Sequence, residues 1–182
     1  HDHFYRLDTD VQKIDQRYIQ SLLEIEDKYF WYHPGVNPFS LLRAGYQFIS
    51  NGKIISGGST LTMQVARLLE PKDRNIRNKW IEIIRAFELE IKYSKKDILR
   101  MYLTMIPMGG NLESIRAASW QYFGSEPTNL SLSEVALLIS LPQSPEKRRP
   151  DRNPVACLEE MKSISLKLVS AGLFKGTDLD EL

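Results

Sequence analysis

Apolar residues recur along most of this chain at the 3.6-residue spacing of a helix buried on one side. Val11, Ile14, Tyr18, Leu22 and Ile25 mark a lead-in helix that reaches Glu26. Asn37-Pro38 has the form of an N-cap followed by proline at the first helical position, opening a helix through Leu41, Leu42 and Phe48 that closes at Asn51-Gly52. After a loop containing Lys53, Gly57-Gly58 leads into a helix that starts at Ser59 or Thr60 and is anchored by Leu61, Val65 and Leu68. The longest helix is predicted from about Asn75 to Tyr93, with Trp80, Ile84, Phe87 and Ile91 as its core stripe. Further helices are expected from Lys96 to Met105, from Leu112 to Tyr122 and from Ala156 to Ala171. Ser131-x-x-Glu134 has the form of a capping box opening a helix from Val135 to Leu141. No alternating stretch exceeds three or four residues, so the expected fold class is mainly α.

Composition narrows the class without naming a chemistry. At 182 residues the chain is expected to form one domain with its own core, and 42% hydrophobic against 26% charged residues argues against disorder. A net charge of +1, with aromatics that do not interleave with a basic stripe, gives no reason to expect nucleic acid. The stretch from Lys72 to Arg100 is different: nine Lys or Arg stand against five Asp or Glu, which suits a local anion site. One cysteine excludes an internal disulfide, and no apolar run reaches the about 18 residues of a membrane-spanning helix. The chain opens at His1 without Met, as a piece of a longer protein would.

Two stretches carry the candidate chemistry. Glu26-Asp27 closes an apolar-faced helix just before Tyr29, Phe30, Trp31 and Tyr32. A carboxylate beside aromatic surface is a candidate general base, and a solvated acidic helix end is the plainer alternative. Gly57-Gly58-Ser59-Thr60 opens the next helix, whose free N–H groups suit an anion. Thr60, Gln64 and Arg67 follow at i, i+4 and i+7, so hydroxyl, amide and guanidinium share one face. Arg74, Arg77 and Lys79 could neutralise a phosphate, while periodicity alone puts Glu82 on a solvated face. No Cys/His metal spacing, serine triad or P-loop pattern is present.

Taken together and in order, these motifs resemble glycosyltransferase family 51, the peptidoglycan-polymerising module of class A penicillin-binding proteins. Glu26 to Gly35 meets the family's Glu-Asp-x-x-Phe-x-x-His-x-Gly, and Gly57 to Gln64 meets its Gly-x-Ser-Thr-x-Thr-Gln-Gln with Met63 for the first Gln. Asn78-Lys79-x-x-Glu82 stands where the family has Arg-Lys-x-x-Glu. Ile98, Leu99, Tyr102 and Leu103 fit a fourth motif that ends here on Thr104 where the family has Asn. Ala117-Ala118, Tyr122-Phe123-Gly124 and Leu132-Ser133 complete the set.

The resemblance implies a lysozyme-like helical domain with a membrane-associated subregion, spanning residues 1–182 of a membrane-anchored protein. Residues 146–182 would begin the linker to a transpeptidase domain. It implies polymerisation of lipid II onto a lipid-linked glycan strand at the periplasmic face of the inner membrane. Glu26 would be the general base and Glu82 a second catalytic carboxylate that orients the donor or a divalent ion. Arg43, Ser59, Thr60, Gln64, Arg67, Arg74 and Lys79 would bind substrate. No cofactor is obligatory, and a divalent cation, magnesium or manganese, is compatible with the pattern. Phe30, Trp31, Phe39 and Phe48 could form a membrane-facing patch or pack in the core. Two other functions fit the same residues: a lytic enzyme that cleaves glycan strands, and a non-catalytic module that binds lipid diphosphate or glycan.

Overall fold

The structure, a computed structural model, describes residues 4–39, 42, 50, 58–73 and 75–181. The expected helix through Leu41 and Phe48, its Asn51-Gly52 end, Lys53, Gly57, Arg43 and Arg74 lie outside the described residues. Among those described, helices α1 (Gln16–Glu26), α2 (Leu61–Leu69), α3 (Ile76–Lys92), α4 (Lys95–Met105), α5 (Ile115–Phe123), α6 (Leu132–Ser140) and α7 (Pro154–Ser170) dominate. Strands β1 (Tyr5–Arg6) and β2 (Leu112–Glu113) form one short parallel pair, Tyr5 opposite Leu112 and Arg6 opposite Glu113. The predicted helix from Leu112 therefore starts later. Its first residues pair with β1, and Ser114 caps α5 by accepting from Ala117 N.

The chain divides into two compact units, one of His1–Ile25 with Leu103–Leu182 and the other of Glu26–Tyr102. In the first, Ser131 and Glu134 form the expected capping box, and α6 buries every residue from Val135 to Ser140. That uniform burial is why its five-residue apolar run shows no amphipathic period. Asp15 holds the start of α1 in the same unit. Its carboxylate accepts from Arg17 N at 2.8 Å and Leu130 N at 2.9 Å, and Arg17 Nη2 lies 3.0 Å away.

The second unit contains the two stretches singled out above. Thr60 is the N-cap of α2 and Asn75 the N-cap of α3, each accepting from the backbone N–H three residues on. Such a cap contributes about 1 kcal/mol. Between α2 and α3 the core is Met63 against Val36 and Ala86, with Ile83 at its edge.

The long helix departs from expectation in one respect. Trp80, Ile84, Phe87 and Ile91 are not core residues; they are 63%, 57%, 41% and 85% exposed, and Ile76 on the same stripe is 82% exposed. Two apolar stripes compete on α3, and the smaller one faces α2. Ala86 lets the helices approach closely, Ile83 and Leu89 flank it, and Lys79, Glu82 and Glu90 border the same side. Periodicity cannot tell which of two stripes is buried, and here side-chain bulk at the contact decides. Phe30 likewise belongs to the core, fully buried, which removes it from the expected membrane-facing patch, while Trp31 and Phe39 are exposed. Phe48 lies outside the described residues.

Candidate active site

The segment that follows Glu26 is fixed from several directions. Asp27 is buried and accepts from Leu61 N, the first residue of α2, at 2.9 Å. His33 Nε2 sits 2.9 and 3.0 Å from the two Asp27 oxygens. The Thr60 hydroxyl donates to Gly35 O at 2.5 Å while accepting from Met63 N at 3.2 Å. Gly35 has φ +88°, and a Cβ there would lie 2.8 Å from Ala86 O and 2.9 Å from Glu90 Cγ. Only glycine satisfies both the left-handed backbone and that approach to α3.

These bonds engage part of the expected anion cradle. Protein groups take three amides at the amino end of α2: Asp27 takes Leu61 N, and Thr60 takes Met63 N and, through its carbonyl, Gln64 N at 3.0 Å. The Thr60 hydroxyl is buried and engaged on both sides, so it organises the helix start.

The polar face of α2 begins one turn later. Glu26, half-buried at the end of α1, accepts from Gln64 Nε2 at 3.0 Å. Arg67, three residues on, grips Glu82 through Nε at 2.7 Å and Nη2 at 3.1 Å, and its Nη2 lies 3.5 Å from Ser59 Oγ. Lys79 Nζ donates to Glu82 Oε2 at 3.0 Å and to Ser59 Oγ. Burial acts to raise the Glu82 carboxyl, but hydrogen bonds and charge from Arg67 and Lys79 outweigh it, holding its pKa below the ordinary carboxylate value. Glu82 is therefore an anion between two cations and points inward, against the solvated face that periodicity assigns to it.

Glu26, Ser59, Gln64, Arg67, Lys79 and Glu82 are thus linked through one helix face, Thr60 lies behind it, and Arg43 and Arg74 lie outside the described residues. Asn78, where the family has Arg, donates from its side chain to Asp73 O at 2.8 Å, bracing the turn before α3. Among the described residues no three of His, Cys, Asp and Glu converge to hold a metal ion. Glu82 is instead gripped by two cations, Arg67 and Lys79.

Sequence reasoning passed over Glu90 and Lys95. Lys95 Nζ donates to His33 O and to Glu90 Oε1, each at 2.7 Å, and lies 4.5 Å from the centre of the Phe30 ring. Glu90 Oε1 also accepts from Thr62 Oγ1 at 2.6 Å. The available signal was the spacing from Ala86 to Glu90, one turn along the buried side of α3.

The transglycosylase family pattern matches residues 2–169, nearly the whole chain. The chain belongs to the transglycosylase family. Among curated relatives of this transglycosylase, penicillin-binding protein 1C of Escherichia coli (strain K12) is 50% identical over 153 residues, covering 84% of the chain and 20% of that protein. Penicillin-binding protein 1A of Aquifex aeolicus is 32% identical over 177 residues, covering 97% of the chain and 24% of that protein. Among solved structures, penicillin-binding protein 1A from Haemophilus influenzae shares the fold, with TM-score 0.58 and 18% identity, covering 98% of the chain and 17% of that one. The transglycosylase chain therefore spans about a fifth to a quarter of the length of these curated relatives.

Proposed function

We propose that the chain is a peptidoglycan glycosyltransferase, polymerising lipid II into β-1,4 glycan strands. One observation carries the mechanism: Gln64 and Arg67, on one helix face, tie Glu26 to a cluster in which Arg67 and Lys79 surround a single carboxylate. Glu26 takes the proton from the 4-hydroxyl of the acceptor sugar as that oxygen attacks C1 of the donor. The C1–oxygen bond to the diphosphate breaks, its electron pair leaves with the diphosphate, and the α-linked donor inverts to a β link. Gln64 holds the base in place, and Arg67, Lys79 and Ser59 meet the negative charge that grows on the leaving group.

A diphosphate departs as a stabilised anion and needs cations more than an acid. Glycan hydrolysis is different, since one of two carboxyls must protonate a poor leaving group. Glu82, whose pKa is held down by Arg67 and Lys79, is unsuited to that task. It serves instead to hold the two cations in position for the donor. This supports transfer over the lytic alternative.

A lipid-linked substrate calls for a lysozyme-like fold docked on a bilayer, at the periplasmic face of the inner membrane. The exposed Ile76–Trp80–Ile84–Phe87–Ile91 stripe of α3 and the exposed aromatics Trp31 and Phe39 supply apolar surface for that contact. No helix among the described residues is long and apolar enough to cross the membrane. The native protein would add an anchor and a transpeptidase domain, with residues 146–182 leading toward the latter.

The decisive variant is Glu26→Gln. It should fold and bind lipid-linked donor yet make no polymer from lipid II. Wild-type polymerisation by that variant would overturn the assignment, and release of soluble fragments from finished peptidoglycan would favour the lytic enzyme.

A further inference from the structure

We infer that Lys95 is a positioning residue for the transfer reaction, acting through Glu90 and Thr62 on α2, whose Gln64 orients Glu26. This rests on Glu26 being the base. Lys95 touches none of the groups assigned to the substrate. Its ammonium is held by the His33 carbonyl, the Glu90 carboxylate and the Phe30 ring, and its side chain is only 19% exposed, that of Glu90 11%. A pair this enclosed is destabilised when either partner is removed, because the other charge is left uncompensated.

What the pair joins gives it a role beyond stability. The segment from Asp27 to Gly35 leads directly away from Glu26, and α2 carries Gln64. Four bonds from residues 60–64 tie the start of α2 to its surroundings in register. Thr60 reaches Gly35, Leu61 reaches Asp27, Thr62 reaches Glu90, and Gln64 reaches Glu26. Three of those four end on the Glu26–Gly35 segment, at Gly35, Asp27 and Glu26. The Thr62 bond is anchored on α3, and Lys95 is what connects that anchor back to the segment, at His33 O. Lys95 therefore closes a loop of contacts running from Glu26 along the segment to His33, through Lys95 and Glu90 to Thr62, and along α2 to Gln64. Loosening any link lets Gln64 and Glu26 drift relative to one another. Displacements of about 1 Å from remote changes can cost about 100-fold in rate.

The test uses the native full-length protein and lipid II polymerisation. Lys95→Met is expected to lower kcat by about 10- to 100-fold, with KM for lipid II changed less than about twofold. The acid limb of its kcat–pH profile, which reports the base in the bound complex, should move. Lys95→Arg should recover part of kcat. Thr62→Val, which leaves both charges in place, should show a smaller loss of the same kind and serves as the deciding variant if Lys95→Met does not fold. Folded variants that keep the wild-type kcat and acid limb, even if they melt earlier, overturn the positioning role. Glu26→Gln measured in parallel separates the two failures. Polymer from that variant overturns the base itself, whereas an inactive Glu26→Gln beside unchanged Lys95→Met and Thr62→Val overturns only the role of Lys95.

Discussion

The Gln64 amide donates to Glu26 Oε2 at 3.0 Å, so a neutral side chain on α2 aims the proposed base. A base must sit within hydrogen-bond reach of the proton it takes, and the Gln64 amide orients the carboxylate for that contact. Gln64→Met keeps the length and helix propensity of the side chain and removes the donor. It should lower kcat about 10-fold with little change in KM, as read by steady-state kinetics on lipid II.

Gly35→Ala should be far more damaging to the fold than to any single contact. The new methyl would meet the Ala86 carbonyl at 2.8 Å on a backbone already at φ +88°. Left-handed strain of about 1–2 kcal/mol adds to an overpacking cost of about 1–3 kcal/mol. A loss of about 3 kcal/mol in urea unfolding is expected, and a loss under about 1 kcal/mol would show that the segment can move away from α3.

Asp15 makes stability depend on pH in acid. Burial acts to raise its carboxyl, but hydrogen bonds from Arg17 and Leu130 and the Arg17 charge prevail, so the folded pKa lies below the unfolded value of 3.8. A depressed carboxylate contributes fully above the unfolded pKa and loses that contribution as pH falls through the folded one. Asp15→Asn should therefore lower Tm at neutral pH, by an amount matching about 1–3 kcal/mol, and the gap to wild type should shrink below pH 3.8. Thermal melts across that range check it.

The outward stripe of α3 should report on lipid. Trp80 is 63% exposed and should shift its fluorescence to the blue when vesicles containing anionic lipid are added. Ile84→Glu should weaken vesicle binding about 10-fold while leaving Tm within error, because that side chain contributes to no core. Unchanged binding, or dimerisation that covers the stripe without lipid, would point to another occupant.

Much of this architecture is legible in the sequence wherever one physical signal acts alone. The Ser131–Glu134 box and the Thr60 and Asn75 caps are local, and local hydrogen bonding decides them. Glu26 and Gln64 are legible as motif members, yet their mutual bond is not, because it joins residues 38 apart in sequence. Glu82 and the Trp80 stripe exchange their expected faces since α3 has two apolar stripes, and only the neighbouring helix determines which is covered. Lys95 and Glu90 escape notice because a charged pair looks like surface until Phe30, His33 and Thr62 are placed around it.

The internal carboxylate of Asp27 at the head of α2 has a consequence for inhibitor chemistry. A compound that offers a phosphate mimic to backbone amides, in the manner of many nucleotide analogues, would compete with Asp27 for Leu61 N and with Thr60 for Met63 N. Among the described residues the guanidinium of Arg67 and the ammonium of Lys79, both in contact with Glu82, are the better targets. The more promising designs would carry enough negative charge to displace that contact, and since the same two cations meet the leaving diphosphate, exchanging either one to escape the compound would also impair transfer.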